Sequence, residues 1–224
     1  MDFIFQLLMN KLIIKCLSKT RTGTYSLAVK SLIKEYLKDS GWNLSVRKRL
    51  PVDSGNNEIP WLTYSAIRFL TDRIAEHFSV FEYGSGHSTI WFSKKSSRIV
   101  STEHDLTWFN SMKEKFSDYP NITYHYRSTD TDEYVNEIMQ YTDEFDIIII
   151  DGRERVKCAL NSLKALKKSG VIIWDNSDRA TYHEGYEFLL NNGFRRLDFW
   201  GLGPMMTFEW CTSVFYRENN CLNI

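Results

Sequence analysis

The chain has 224 residues, of which 43% are apolar and 15% aromatic, enough for a buried core and too many for a disordered polymer. Lys+Arg and Asp+Glu both number 28, so the formal net charge is zero, which argues against a protein held chiefly by polyanions; nucleic acid is not an expected partner. Cys16, Cys158, Cys211 and Cys221 show no C-x-x-C or Cys/His spacing, so neither a zinc motif nor a disulfide framework is indicated, and the expected compartment is the reducing cytoplasm.

The opening stretch MDFIFQLLMNKLIIKCLSK is apolar, but Gln6, Asn10, Lys11 and Lys15 interrupt it and no small-residue cleavage site follows. It fits neither a signal peptide nor a transmembrane segment. It reads as an amphipathic helix packed on the body, with peripheral membrane or partner contact as the other reading. Leu27, Val29, Leu32, Ile33, Tyr36 and Leu37 make a helical stripe that Gly41 ends, and Trp42 to Pro60 reads as a linker loop. Residues 1–60 are thus expected to be an N-terminal helical extension, and residues 61–224 the main domain.

From Trp61 onward, helical stripes alternate with short apolar runs. Ile67, Leu70, Ile74 and Ala75 predict a helix ending near His77, and Ser79 to Tyr83 a strand broken by Gly84-Ser85-Gly86. A helix over 88–95 and a strand over 98–102 follow, then a helix that Asp105 can cap, with Leu106, Phe109, Met112 and Phe116 on one side. Ile122 to Tyr126 predicts a third strand, and residues 132–141 a helix. The run Ile147 to Ile150 does not alternate, so both faces of that strand should be buried, as in a central parallel strand. Val156, Leu160, Leu163 and Leu166 predict a helix ended by Gly170, before a strand Val171 to Trp174. A helix near 182–190 and strands at 194–200 and 211–216 close the chain. The fold class is α/β: a Rossmann-like, doubly wound sheet, mostly parallel, with an antiparallel edge strand from the final pair.

In such a sheet, ligands bind beyond the carboxyl ends of the strands. Four of the five ends carry a carboxylate at or next to the strand terminus, Glu82, Glu103, Asp151 and Asp175, and Arg127 to Asp130 follow the third strand. Gly84 and Gly86 allow a tight bend and close backbone approach, but Thr89 stands where a dinucleotide motif has its third glycine. Acids beside that bend would repel a diphosphate and suit a cationic ligand, and Glu103 ends the second strand, where a carboxylate can accept ribose hydroxyls.

These motifs resemble the class I S-adenosylmethionine-dependent methyltransferases: Glu82-x-Gly84-x-Gly86-x-Ser88, Glu103 and the Asp151 strand end carry the resemblance. More narrowly, FEYGSGHSTIWF, VSTEHD, IIIIDGRERV and VIIWDNSDR are similar to bacterial methyltransferase-like proteins, over roughly residues 61–217. The resemblance implies a seven-stranded sheet with a reversed final hairpin and S-adenosylmethionine as cofactor. It implies that Glu82, Gly84 and Gly86 face the methionine part, that Glu103 holds the ribose and that Ser128 to Asp130 lie near the adenine, with Tyr83, Ser85, Ser88, Thr89, His104 and Asp151 also among the cofactor-binding residues. Tyr64, with Trp61 and Thr63, either covers the methionine end or packs a helix start onto the core.

Asp151 with Asp175-Asn176 also resembles the metal site of catechol- and caffeoyl-type O-methyltransferases, where Mg²⁺ would take hard oxygen ligands. The departures are the Asp151-Gly152-Arg153-Glu154 loop and the lack of a lysine counterpart. The plainer reading of Asp175-Asn176 is a cap and turn. Arg153 and Arg155 either recognise an anionic substrate or, as the preferred reading, pair with Glu154 and Asp178 at the rim. His87, His104 and His183 are each either a base or an ordinary structural histidine. Trp91, Trp108 and Trp174 read as core. The expected activity is methyl transfer to a small-molecule acceptor, at oxygen, with Asp151, Asp175 and His87 as the candidate catalytic groups. An NAD-dependent oxidoreductase and a non-catalytic binding scaffold are the alternatives; the oligomeric state is not fixed, and a homodimer stays open.

Overall fold

The structure, a computed structural model, describes residues 20–224. The helix expected at the extreme N-terminus lies outside the described residues. The chain divides into two compact units, one ending at Asn57 and one spanning Glu58–Ile224. In the first, helix α1 (Arg21–Ser31) starts at Thr20, whose Oγ1 accepts the Gly23 amide at 3.0 Å, and continues as a π-helical stretch over Leu32–Lys38. Its apolar stripe is not a buried one: Leu32, Ile33 and Tyr36 are all exposed. The expected linker loop contains a further helix, α2 (Trp42–Lys48). Gly41 permits that turn, because it sits at φ +84° and a Cβ there would strike the backbone of Val52 and Asp53.

The second unit begins with α3 (Tyr64–Thr71), which stops earlier than the stripe predicts. Strands β1 (Ser79–Tyr83), β2 (Arg98–Glu103) and β3 (Ile122–Tyr126) are linked by α4 (His87–Ser93) and α5 (Leu106–Phe116). A short α6 (Glu133–Asn136) and a 3₁₀ turn (Glu137–Gln140) replace the single helix expected before β4 (Phe145–Ile150). Then come α7 (Arg155–Ser162), β5 (Leu166–Asp175), α8 (His183–Asn191), β6 (Arg195–Gly201) and β7 (Trp210–Tyr216). The seven strands are ordered β3-β2-β1-β4-β5-β7-β6. The first five run parallel, and β7 is antiparallel to both β5 and β6, so the reversed strand sits one place inside the edge.

All six residues of β4 are buried, as the unbroken isoleucine run requires of a strand covered on both faces. Phe81, Tyr83, Ile148, Ile150, Ile172, Trp174 and Phe215 share one sheet face and pack with Tyr134, Ile138, Cys158, Tyr186 and Leu189 from the helical layer. Each fully buried large apolar side chain contributes about 2 kcal/mol. Leu166 and Gly170 belong to β5, not to the preceding helix. Phe145 pairs with Leu166 and the register then shifts before Ile147 meets Val171, so a strand irregularity lies where spacing alone reads one more helical turn.

Chain order reverses between β1 and β4, which lie side by side with Tyr83 paired to Ile150. A doubly wound sheet opens its binding crevice at that switch point.

Candidate active site

The β1–α4 bend is built from the interior outward. Gly84 donates its amide to the Thr102 carbonyl at 2.9 Å and accepts the Ser101 hydroxyl at 2.7 Å. It takes φ +97°, where a Cβ would lie 3.3 Å from the Gly152 nitrogen, so β1 and β4 meet backbone to backbone. Beneath the bend, Glu82 is 1% exposed, and its two carboxylate oxygens accept Ser88 Oγ and Thr89 Oγ1, each at 2.5 Å. Thr89 Oγ1 in turn accepts the Gly86 amide at 3.0 Å. Burial pushes the Glu82 carboxyl up to about 7 from an ordinary 4.5, with the hydroxyl donors pulling the other way. Glu82 therefore supports the bend from behind with its two oxygens taken by hydroxyls of the next helix, whereas it is expected to face the donor.

The Glu103 carboxylate faces the same crevice. Its Oε1 accepts the His104 and Asp105 amides at 2.8 and 2.9 Å, and its Oε2 accepts the Ser85 hydroxyl at 2.8 Å. His104 Nδ1 is 2.9 Å from Oε1, without the alignment of a hydrogen bond. Ser85 Oγ also meets Tyr124 Oη at 2.7 Å, and the Trp108 indole donates to the Ser85 carbonyl at 2.9 Å. Trp108 is thus no core residue: it is 42% exposed and walls the crevice one turn into α5, which Asp105 caps.

The crevice is a cavity of about 710 Å³ lined by Gly84, Ser85, Glu103, His104, Asp105, Trp108, the 151–155 loop, Asn176, Arg179 and Tyr182. A smaller cavity of about 340 Å³ adjoins it, with Trp61, Met206, Phe208 and Trp210 as its apolar wall and Asp175 at its base. The two share Asp151, Arg155, Asn176 and Arg179. The second wall depends on the β6–β7 connection. Tyr64 donates its amide to the Leu202 carbonyl at 2.8 Å and Thr63 Oγ1 donates to the Phe199 carbonyl at 3.0 Å, fixing the start of α3 and Trp61 just before it.

At the common wall, Arg155 does not pair with Glu154 or Asp178 at the rim. It is 8% exposed and donates to the Gly152 carbonyl at 2.9 Å, the Asp151 carbonyl at 2.8 Å, Asp151 Oδ1 at 3.0 Å and the Asp175 carbonyl. It thereby ties the carboxyl ends of β4 and β5 together. Asp175 is almost wholly buried, and its Oδ1 accepts Trp210 Nε1 at 2.9 Å and Thr212 Oγ1 at 2.6 Å. The Asp151 side chain is one-quarter exposed at the cavity wall, and its Oδ2 has no hydrogen-bond partner among the described residues. Burial, then the neighbouring Asp175 and Glu82 carboxylates, raise the Asp151 carboxyl above the usual aspartate range, with Arg155 opposing them. Asn176 turns the chain in the left-handed region at φ +50°, a conformation asparagine tolerates.

The structure brings Gly84, Ser85, Glu103, His104, Asp151, Asp175 and Asn176 to these two cavities and leaves the other expected residues behind or beside them. Tyr83 is buried with Oη on the Val135 carbonyl at 2.9 Å, and Gly86, Ser88 and Thr89 form the support under the bend. Tyr64 and His87 are buried at the starts of α3 and α4, off both walls. Ser128 and Asp130 bond each other in the loop after β3, also off both walls, and His183 lies on the surface near Glu187. Sequence reasoning missed Trp108, Trp210, Phe208 and Arg179; for Trp108 the available signal was its position off the Phe109–Met112–Phe116 stripe.

The crevice fits a nucleoside-sized cofactor: a side-chain-free bend, a carboxylate for ribose hydroxyls, an indole on one side and no phosphate-binding loop. The expected Mg²⁺ site is not supported. Among the described residues no group of three His, Cys, Asp or Glu side chains is arranged to hold a metal. Asp175 Oδ1 is filled by interior donors, and a guanidinium already faces Asp151 Oδ1.

No protein-family model and no curated protein matches the sequence. Solved structures do. Precorrin-6y C5,15-methyltransferase from Geobacter metallireducens superposes with a TM-score of 0.57 at 15% identity, covering 69% of this chain and 88% of that one. Precorrin 8w decarboxylase from Methanobacterium thermoautotrophicum gives 0.52 at 16% identity, over 76% and 97%. An rRNA methylase from Streptococcus thermophilus gives 0.51 at 12% identity, over 67% and 93%. Identities this low carry the architecture alone: the chain is built on the class I S-adenosylmethionine-dependent methyltransferase fold.

Proposed function

We propose that the chain is an S-adenosylmethionine-dependent methyltransferase that transfers the methyl group to oxygen of a small-molecule acceptor, with residues 61–224 as the catalytic domain. The observation that carries the proposal is the pair of adjoining cavities that meet at Asp151 and Asn176, the larger suited to a nucleoside and the smaller to a compact apolar body. Gly84 and Ser85 would hold the methionine part, Glu103 the ribose hydroxyls and Trp108 a flat face of the nucleoside. Ser85 would have to release Glu103 Oε2 as the ribose arrives. The cofactor supplies an electrophilic methyl on a cationic sulfur.

The chain's own residues then do the positioning. Trp61, Phe208 and Trp210 would orient an apolar acceptor, and Arg179, at the same wall, faces any polar substituent. Methyl transfer needs in-line approach, so this fixed orientation supplies much of the rate. Asp151 Oδ2 would take the hydroxyl proton in its ionised form; burial raises its proton affinity, so that form, and turnover with it, gains as pH rises. His87 lies off both walls and has no part in this reading. Zero net charge supports a small acceptor over RNA.

The test is calorimetric titration with S-adenosylhomocysteine and with NAD, followed by labelled methyl transfer to a panel of hydroxyl compounds. Glu103→Gln is expected to weaken S-adenosylhomocysteine binding roughly 10- to 100-fold, as loss of charge-assisted bonds does. Binding of NAD in preference to S-adenosylhomocysteine would overturn the proposal.

A further inference from the structure

We infer that the acceptor carries a protonated amine beside the hydroxyl that is methylated, and that Asp175 Oδ2, with Asn176 next to it, holds this ammonium at the base of the smaller cavity. The inference rests on the methyltransferase reading of the two cavities and names the substrate class of that site. Its first support is unspent acceptor capacity. Asp175 is 3% exposed, and its Oδ1 is filled by Trp210 Nε1 and Thr212 Oγ1, yet no side chain among the described residues donates to Oδ2. Asp151 stands alike: Arg155 Nη2 donates to Oδ1 and leaves Oδ2 at the cavity that both aspartates line. Ile150 pairs with Trp174 across the parallel β4–β5 ladder, so the two aspartates leave neighbouring strands, about 4.8 Å apart, at the same level. A buried carboxylate oxygen without a donor is costly. An ammonium, with three donors and no acceptor, suits such a cluster of oxygens.

The charge balance and the cavity wall select an organic cation. When ionised, the two carboxylates outnumber the one buried guanidinium, Arg155, by a full negative charge. Burial holds both carboxyls above the ordinary aspartate range, and a cation beside them offsets that penalty. Arg179 lines the same cavity, but it is exposed and donates to Tyr182 Oη at 3.3 Å, so water screens its charge. Trp61, Phe208 and Trp210 line the cavity as well; aromatic rings attract an alkylammonium and bury the carbon body attached to it. A hydrated divalent ion gains nothing from that wall and meets twice the repulsion from Arg155. With the ammonium on Asp175, Asp151 Oδ2 stays available to the neighbouring hydroxyl. The acceptor class is therefore an amino alcohol or aminoalkyl phenol with a compact apolar body.

The test titrates the full chain by calorimetry with ortho-hydroxybenzylamine and ortho-hydroxybenzyl alcohol, two bodies of one size that differ in the ammonium, with and without S-adenosylhomocysteine. Wild type is expected to bind the amine at least about tenfold more tightly than the alcohol, in EDTA as in Mg²⁺. Asp175→Asn keeps an oxygen for Trp210 and Thr212 but turns an amide donor to the cavity. It is expected to weaken amine binding about tenfold and to leave alcohol binding within about threefold. Equal affinity for the two phenols, or no binding of the amine, would overturn the inference. So would an amine preference that survives in Asp175→Asn, or an alcohol affinity that Mg²⁺ lifts above that of the amine, which would put a divalent ion at the carboxylates. Should Asp175→Asn fail to fold, the wild-type comparison decides alone. A chain that binds no S-adenosylhomocysteine would refute the methyltransferase reading, while the titrations without that ligand still decide whether the cavity takes the amine.

Discussion

Replacing Glu82 by glutamine should change stability in opposite directions at acid and at alkaline pH. In the folded chain the Glu82 carboxyl is pushed up to about 7 from an ordinary 4.5, chiefly by burial. The folded state therefore holds this proton more tightly than the unfolded state. The associated stability is fully present below the unfolded value and is lost as pH rises through the folded one. At 1.36 kcal/mol per unit, the loss above neutrality comes to about 3 kcal/mol. Glutamine is neutral at every pH and escapes that loss, but its amide cannot accept from both Ser88 and Thr89, which costs about 1 kcal/mol. The variant should therefore be less stable than wild type by about 1 kcal/mol near pH 4 and more stable by about 2 kcal/mol near pH 8. Denaturant unfolding of both proteins at the two pH values measures the difference, and titrations common to both cancel. An equal loss at both pH values would mean that Glu82 is ionised at little cost, and the account of the bend as resting on a buried, proton-holding carboxyl would fail.

Three further outcomes follow from the same geometry. Gly84→Ala must place a side chain at φ +97° with its Cβ 3.3 Å from the Gly152 nitrogen; it should cost about 2 kcal/mol in thermal or denaturant unfolding, and calorimetry should find weakened S-adenosylhomocysteine binding. Trp210→Phe deletes the buried indole donor to Asp175 Oδ1 and should destabilise by about 1–3 kcal/mol, visible as a lower denaturant midpoint. Phe208→Ala alters a ring that is 59% exposed, so stability should stay within about 0.5 kcal/mol while the acceptor KM rises in steady-state assays.

The sheet was legible because its centre is written in a pattern that few structures share. Ile147 to Ile150 and Val171 to Trp174 are too apolar for a half-exposed strand, and a strand covered on both faces implies helices on both sides and hence parallel crossovers. The strand ends were legible for the same reason: once the strands are placed, Gly84, Glu103 and Asp151 must lie at one edge. The direction in which Glu82 points was not. Alternation assigns Glu82 to the face opposite Phe81 and Tyr83, but with both faces covered, parity cannot say which one borders a ligand. Nor could spacing reveal that a serine and a threonine in the next helix would take up both of its oxygens.

Arg155 was misread for a related reason, which lies in the helical phase of α7. In Asp151-Gly152-Arg153-Glu154-Arg155, charges alternate so densely that any of them could face water; the helical phase that starts at Arg155 turns that one side chain inward and leaves Arg153 and Glu154 exposed. Its partners then follow from tertiary register. Asp175 pairs with Thr212 across the antiparallel β5–β7 ladder, and the same ladder brings Trp210 within reach of the carboxylate. Asp175 Oδ1 is held from the β7 side and Asp151 Oδ1 from α7, so Oδ2 of each carboxylate is left without a partner among the described residues, at the smaller cavity that both residues line. A residue read as rim therefore supplies a buried positive charge that fixes one oxygen of Asp151 and the carboxyl ends of two strands from within.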